Sequence, residues 1–108
     1  MAKKEIINII IEFIQSLKKN GVTIDRVFLY GSYARGISKD GSDIDIAVIS
    51  PDFGKDRYEE GKLLRQLAWR IDTRLEPVPI SSESFLNDDW IPLIHEIKTN
   101  GIPIEVAV

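Results

Sequence analysis

The sequence predicts an α/β sandwich, a small mixed β-sheet flanked by helices in the order α-β-α-β-α-β-α. Three observations predict it. Helical periodicity and strand-like runs alternate along the chain. The strand-like runs are short, rich in β-branched and aromatic residues, and bounded by glycine or turn-forming clusters. The length of 108 residues suits one domain with one modest core, so residues 1–108 read as a single unit.

The first helix is expected over residues 5–19, stopped by Asn20-Gly21. Ile6, Ile7, Ile9, Ile10, Ile11, Phe13, Ile14 and Leu17 cover roughly 200° of it, against about 100° for an ordinary core stripe. Deep burial accounts for such an arc, and so does contact with another subunit, which makes this helix a candidate surface for homo- or hetero-oligomers. "RVFLY", 26–30, reads as a buried strand ended by Gly31. A short helix follows from Gly31-Ser32 to near Gly36, then the turn "SKDGS". "DIDIAVIS", 43–50, is the second strand, "SPDFG" a loop, and 56–72 a second long helix. "RLEPVPIS", 74–81, is a third strand; its two prolines cannot donate ladder hydrogen bonds and mark it as an edge. A last helix is expected over 89–99, stopped by Asn100-Gly101, with "IPIEVAV" as a short closing strand.

Composition narrows the chemistry. The formal net charge of −3 lacks the basic footprint of a phosphate-backbone binder, so nucleic acid is not an expected partner. The chain has no cysteine and one histidine, His95. Disulfides, thiolate zinc sites, a cysteine nucleophile and His-rich metal sites are thereby excluded. The apolar N-terminal run is interrupted by Glu12, Gln15 and Ser16 and reads as an amphipathic helix rather than a signal peptide. No segment is long and apolar enough to span a membrane. A cytoplasmic protein is expected.

Asp43 and Asp45 lie two apart on a strand, so their side chains leave one face. Paired carboxylates suit a hard divalent cation, and Mg²⁺ usually takes one or two of them together with phosphate oxygens. A place for phosphate lies upstream in "LYGSYARG". Glycine at a strand-to-helix turn lets backbone approach an anion without a Cβ in the way. The helix-start N–H groups and the Ser32 hydroxyl can then hold that anion. Gly31-Ser32 followed at this spacing by Asp43-x-Asp45 has a chance occurrence on the order of 10⁻³ in a chain of this length. Arg35 has two readings, as a phosphate partner or as an ion-pair partner for the site's own acids. Ser42 has two as well, phosphate contact or turn cap. His95 reads as a surface or packing residue. Trp69 and Trp90 read as core or interface residues rather than stacking platforms, and Tyr30 and Tyr33, which flank the glycine turn, receive no role.

"GSYARG" and "SDIDIAVIS" resemble the nucleotidyltransferase superfamily that includes DNA polymerase beta and kanamycin nucleotidyltransferase. In size the chain is similar to the minimal nucleotidyltransferase group, found as the antitoxin half of pairs with HEPN-domain toxins. The order of elements extends the resemblance across nearly the whole chain. The family places a third carboxylate on a later strand, where it ligates metal and takes the proton of the attacking hydroxyl. The resemblance assigns that role to Glu76, the only acid within the third strand, with Asp72 just before it. It implies catalysis by Asp43, Asp45 and Glu76 acting on two Mg²⁺ ions. It further implies nucleotide contacts from Gly31, Ser32, Arg35 and Ser42. ATP is the implied donor, and a tyrosine hydroxyl of a HEPN toxin the implied acceptor.

Two other readings stand beside this one. A small-molecule adenylyltransferase, acting on an aminoglycoside-like acceptor with a second subunit completing the pocket, needs only a small acceptor. A non-catalytic module neutralises its partner by contact and would tolerate Asp43→Asn. In either enzyme reading, three clustered carboxylates should raise the pKa of at least one of them until Mg²⁺ binds.

Overall fold

In the computed structural model, residues 4–106 are described. Residues 1–3 lie outside that range, as do positions 107 and 108 of the expected closing segment. Four strands form one mixed sheet in the order β3-β2-β1-β4. They are β1 (Arg26–Tyr30), β2 (Ile44–Ser50), β3 (Leu75–Ser81) and β4 (Ile102–Ile104). β2 runs antiparallel to β1 and parallel to β3, while β4 runs antiparallel to β1. The expected α/β architecture is therefore the observed one.

The sheet sorts its side chains by alternation. Val27, Leu29, Ile44, Ile46, Val48 and Leu75 face a core shared with α1 (Lys4–Lys19) and α3 (Arg57–Trp69). Phe28, Ala47, Ile49 and Ile80 face a second, smaller core with Phe85, Ile94 and Ile97. Those last residues come from α4 (Ser82–Asn87) and α5 (Pro92–Asn100). β2, covered on both faces, is buried at every position except Asp45.

Most of the apolar arc of α1 goes into the core. Ile6, Ile10, Phe13, Ile14 and Leu17 are buried, and Ile7 and Ile9 pack partly buried against the same cluster. Ile11, 38% exposed, is the large apolar side chain of this helix that stays outside. α3 starts where Asp56 accepts a hydrogen bond from the Glu59 N–H. Glu60 ties down the loop before it by accepting from the N–H groups of Gly54, Lys55 and Asp56.

The C-terminal third departs from the expected single helix over 89–99. Two helices occupy it. Ser81 caps α4 by accepting from the Ser84 N–H, and that helix was not foreseen. Asp89 and Trp90 lie in the turn between the two. α5 begins at Pro92, which cannot donate a helical hydrogen bond but fits the first turn. Ile91 before it is extended, as a residue preceding proline must usually be. Of the two readings of the tryptophans, core or interface, exposure removes the first, since Trp90 is 78% and Trp69 49% exposed.

β3 is an edge strand, as its prolines required. Pro77 and Pro79 sit two apart, so their missing N–H groups fall on one side of the strand, the side away from β2. β4, the opposite edge, carries Pro103 in its middle. Both open edges are thus poor templates for another strand.

The burial pattern of α1 can be checked by urea denaturation. Phe13→Ala should cost about 3–5 kcal/mol, whereas Ile11→Ala should stay within about 0.5 kcal/mol of the parent.

Candidate active site

The site lies where β1 ends and β2 and β3 begin. Tyr30 pairs with Asp45, and Asp45 pairs with Glu76. The three side chains therefore stand abreast across three strands, on the face that carries the second core further down the sheet. Asp43 precedes β2 by one residue and is exposed. Its carboxylate acts electrostatically on Asp45, as does that of Glu76. So the structure brings together Asp43, Asp45 and Glu76, the three acids the sequence singled out. Asp72, the other acid near β3, is committed elsewhere. It accepts from the Arg74 backbone N–H at 2.9 Å and from Nε and Nη2 of the same guanidinium at 3.1 and 2.9 Å. Those bonds hold its carboxyl below the usual range.

Gly31 opens α2 (Gly31–Arg35) with φ of 71°. A Cβ at this position would fall 2.3 Å from Asp45 Oδ2. Glycine is needed twice over, for the left-handed backbone and for the space. Tyr30, at the N-cap, provides no side-chain hydrogen bond to the helix start. No side chain of this position competes with a ligand for the first N–H groups of α2, and Ser32 stands beside them. Gly36, in the left-handed region, ends the helix.

Two other expected ligands are engaged within the protein. The Ser42 hydroxyl accepts from the Lys39 N–H at 2.8 Å and closes the turn before Asp43. Arg35 pairs with Glu96 of α5 at 3.7 Å, not with the three site acids. Its guanidinium is more than half exposed and so remains free to exchange partners. Tyr30 is the neighbour that residue-by-residue reading left without a role. Burial, then the charges of Asp45 and Glu76, push its phenol up to about 12, so at neutral pH it stays a neutral donor. Only the strand register shows it beside the acids; alternation alone does not.

Asp45 has its pKa raised, first by burial and then by Asp43 and Glu76. This is the repulsion expected of the cluster. Mg²⁺ takes oxygen donors and commonly uses one or two carboxylates, the remainder coming from water and phosphate. Among the described residues no three acidic or imidazole side chains close into a cage. Carboxylates beside the uncapped start of α2 fit a cation shared with a substrate's phosphates better than one caged by protein alone. One strand step beyond Glu76 on the same face, a cleft of about 360 Å³ opens between β3 and α5, lined in part by Val78, Ile80, Ile91 and Leu93.

Comparison with known proteins places this geometry. The family model for the nucleotidyltransferase domain matches residues 7–97, and the chain belongs to that family, a family of enzymes. A protein of Methanocaldococcus jannaschii, named as a candidate protein adenylyltransferase, is 33% identical over 104 residues. That match covers 92% of this chain and 71% of the relative. Protein adenylyltransferase MntA of Shewanella oneidensis is 33% identical over 90 residues, covering 83% of this chain and 60% of MntA. This chain thus spans less than two thirds of the MntA length. A chain from a crystal structure of a toxin–antitoxin pair with AMP-PNP superimposes with a TM-score of 0.61 at 25% identity, covering 94% of this chain and 73% of that one.

Two outcomes follow for the site. Gly31→Ala should lose at least about 1–2 kcal/mol of stability from the left-handed backbone alone, read by urea denaturation. Asp45→Asn should raise Tm at pH 7 in the presence of a chelator. The sign follows from the raised pKa. The parent keeps full stability below the ordinary carboxyl value of 3.8 and loses some as pH rises through the elevated folded value. The Asn variant lacks that loss, so the two Tm curves should converge at acid pH.

Proposed function

We propose that this chain transfers AMP from ATP to a hydroxyl on a partner protein in the cytoplasm, and that the partner is a HEPN-domain toxin neutralised by the modification. The observation that carries the reading is the row Tyr30–Asp45–Glu76, with Gly31 leaving room for the Asp45 carboxylate at the start of α2. The activity named for MntA, and the toxin–antitoxin pair crystallised with the ATP analogue AMP-PNP, support the choice of donor and acceptor.

The residues divide the work by position. The first N–H groups of α2 and the Ser32 hydroxyl hold phosphate oxygens. Arg35, released from Glu96, reaches the triphosphate, and Ser42 keeps the turn that presents Asp43 closed. Asp43, Asp45 and Glu76 would hold Mg²⁺, which when bound would offset the triphosphate's charge and lower the pKa of the attacking hydroxyl. Glu76, on the edge strand, takes the proton of that hydroxyl. Its oxygen bonds to the α-phosphorus as the bond from that phosphorus to the bridging oxygen breaks, and pyrophosphate leaves in line. The neutral Tyr30 phenol flanks the row without adding charge to it.

Incubation with ATP labelled on the α-phosphate, Mg²⁺ and lysate of the source cells tests this. A labelled protein band should form, and Asp45→Asn should reduce it about 100-fold or more. Label confined to a small molecule would replace this reading with the small-acceptor enzyme. Neutralisation of a co-expressed toxin that survives Asp43→Asn would replace it with the contact-only module.

A further inference from the structure

α3 presents a second feature that the site does not use. At 100° per residue, Tyr58, Lys62, Arg65 and Trp69 fall within roughly 60° of one another, a stripe about 16 Å long. The buried residues Leu64, Leu67 and Ala68 lie outside that stripe, and the buried Gly61 borders it beside Arg65. Tyr58 is 70% exposed, Trp69 is 49% exposed, and Leu63 also stands partly out of the core. No acid lies within that arc. Among the described residues Lys62, Arg65 and Arg70 make no ion pair. In a chain of net charge −3, this is a cationic, aromatic ridge.

Two of its members are held in place. The Trp69 indole N–H donates to the Leu75 carbonyl at 3.1 Å. The Arg65 guanidinium lies over Gly61, where an added Cβ would come within 3.1 Å of Nη1. A mid-helix glycine costs about 1 kcal/mol relative to alanine, and here it makes room for that arginine. Tyr, Trp and Arg are the side chains enriched at the energetic centres of protein interfaces. The ridge also has an end point: Trp69 is bonded at the Leu75 carbonyl of the edge strand β3, one residue before Glu76, whose side chain leaves the other face of the sheet.

We propose that this outer face of α3 docks an acidic segment of the partner protein, whose acceptor hydroxyl then reaches Glu76 around the free edge of β3. Charge complementarity selects the occupant. A second copy of the chain would set Lys62 and Arg65 against themselves across a twofold contact. A nucleic acid would meet few cations and then the acids of the site. The inference rests on a protein acceptor, and its test needs neither ATP nor turnover, so the two can fail separately.

Trp90→Phe leaves Trp69 as the only indole. In that background, without ATP, a random copolymer of glutamate and tyrosine should change Trp69 emission saturably. Lys62→Glu with Arg65→Glu should weaken binding at least about tenfold, with Tm unchanged. The same charge change at Lys4→Glu with Lys19→Glu should leave binding near the parent value. Tyr58→Ala, which removes no charge, should also weaken it. Asp45→Asn should bind as the parent does. Equal weakening by both charge-reversed pairs, absence of binding, or tighter binding of oligouridylate to the same residues would each overturn the proposal.

Discussion

The contact between Gly31 and the Asp45 carboxylate is the constraint on which the site hangs. Tyr30 pairs with Asp45 across β1 and β2, so the chain must leave β1 directly beside that carboxylate. It does so with a left-handed turn at Gly31 and starts a helix at once. Any side chain there would meet Asp45 Oδ2. The same geometry brings the uncapped start of α2 next to the acids. The proposed phosphate-binding backbone and the proposed metal-binding carboxylates thus become neighbours through one glycine.

Such a cluster works against the fold that carries it. Asp45 is the one position of β2 not fully buried, and its ionisation is opposed by burial and by two like charges. The surrounding structure absorbs that repulsion because β2 is central, paired along its length with β1 and β3 and packed on both faces. The strained chemistry sits at the end of the most secure strand. Functional groups are tolerated at such points because the remainder of the element over-determines their position.

Much of this was legible from local pattern. Strand boundaries at β1, β2 and β3 followed from β-branched runs bounded by turn residues, and the edge position of β3 from its two prolines. Gly31 and the acids followed from spacing and family resemblance. What escaped depended on pairing between distant segments. Tyr30 gained a place only through the register that sets it opposite Asp45. The Arg35–Glu96 pair joins α2 to α5, and no periodicity announces it. α4 was hidden because six residues leave little helical period, although the Ser81 cap and Pro92 were visible as boundary signals. The tryptophans stayed between two readings for a different reason: residue type predicts what interiors prefer, not which large side chains a small domain leaves outside.

The short strand β4 sets an order of events during synthesis. β1 is central in the finished sheet, but its second partner, Ile102–Ile104, is translated about 70 residues later. Until then β1 has no proline to blunt its free side, and the nascent domain carries an open strand edge. Three residues with a proline in the middle are enough to seal it. A truncation that removes so small an element would leave the site residues in the chain yet expose β1 to its neighbours on the polysome.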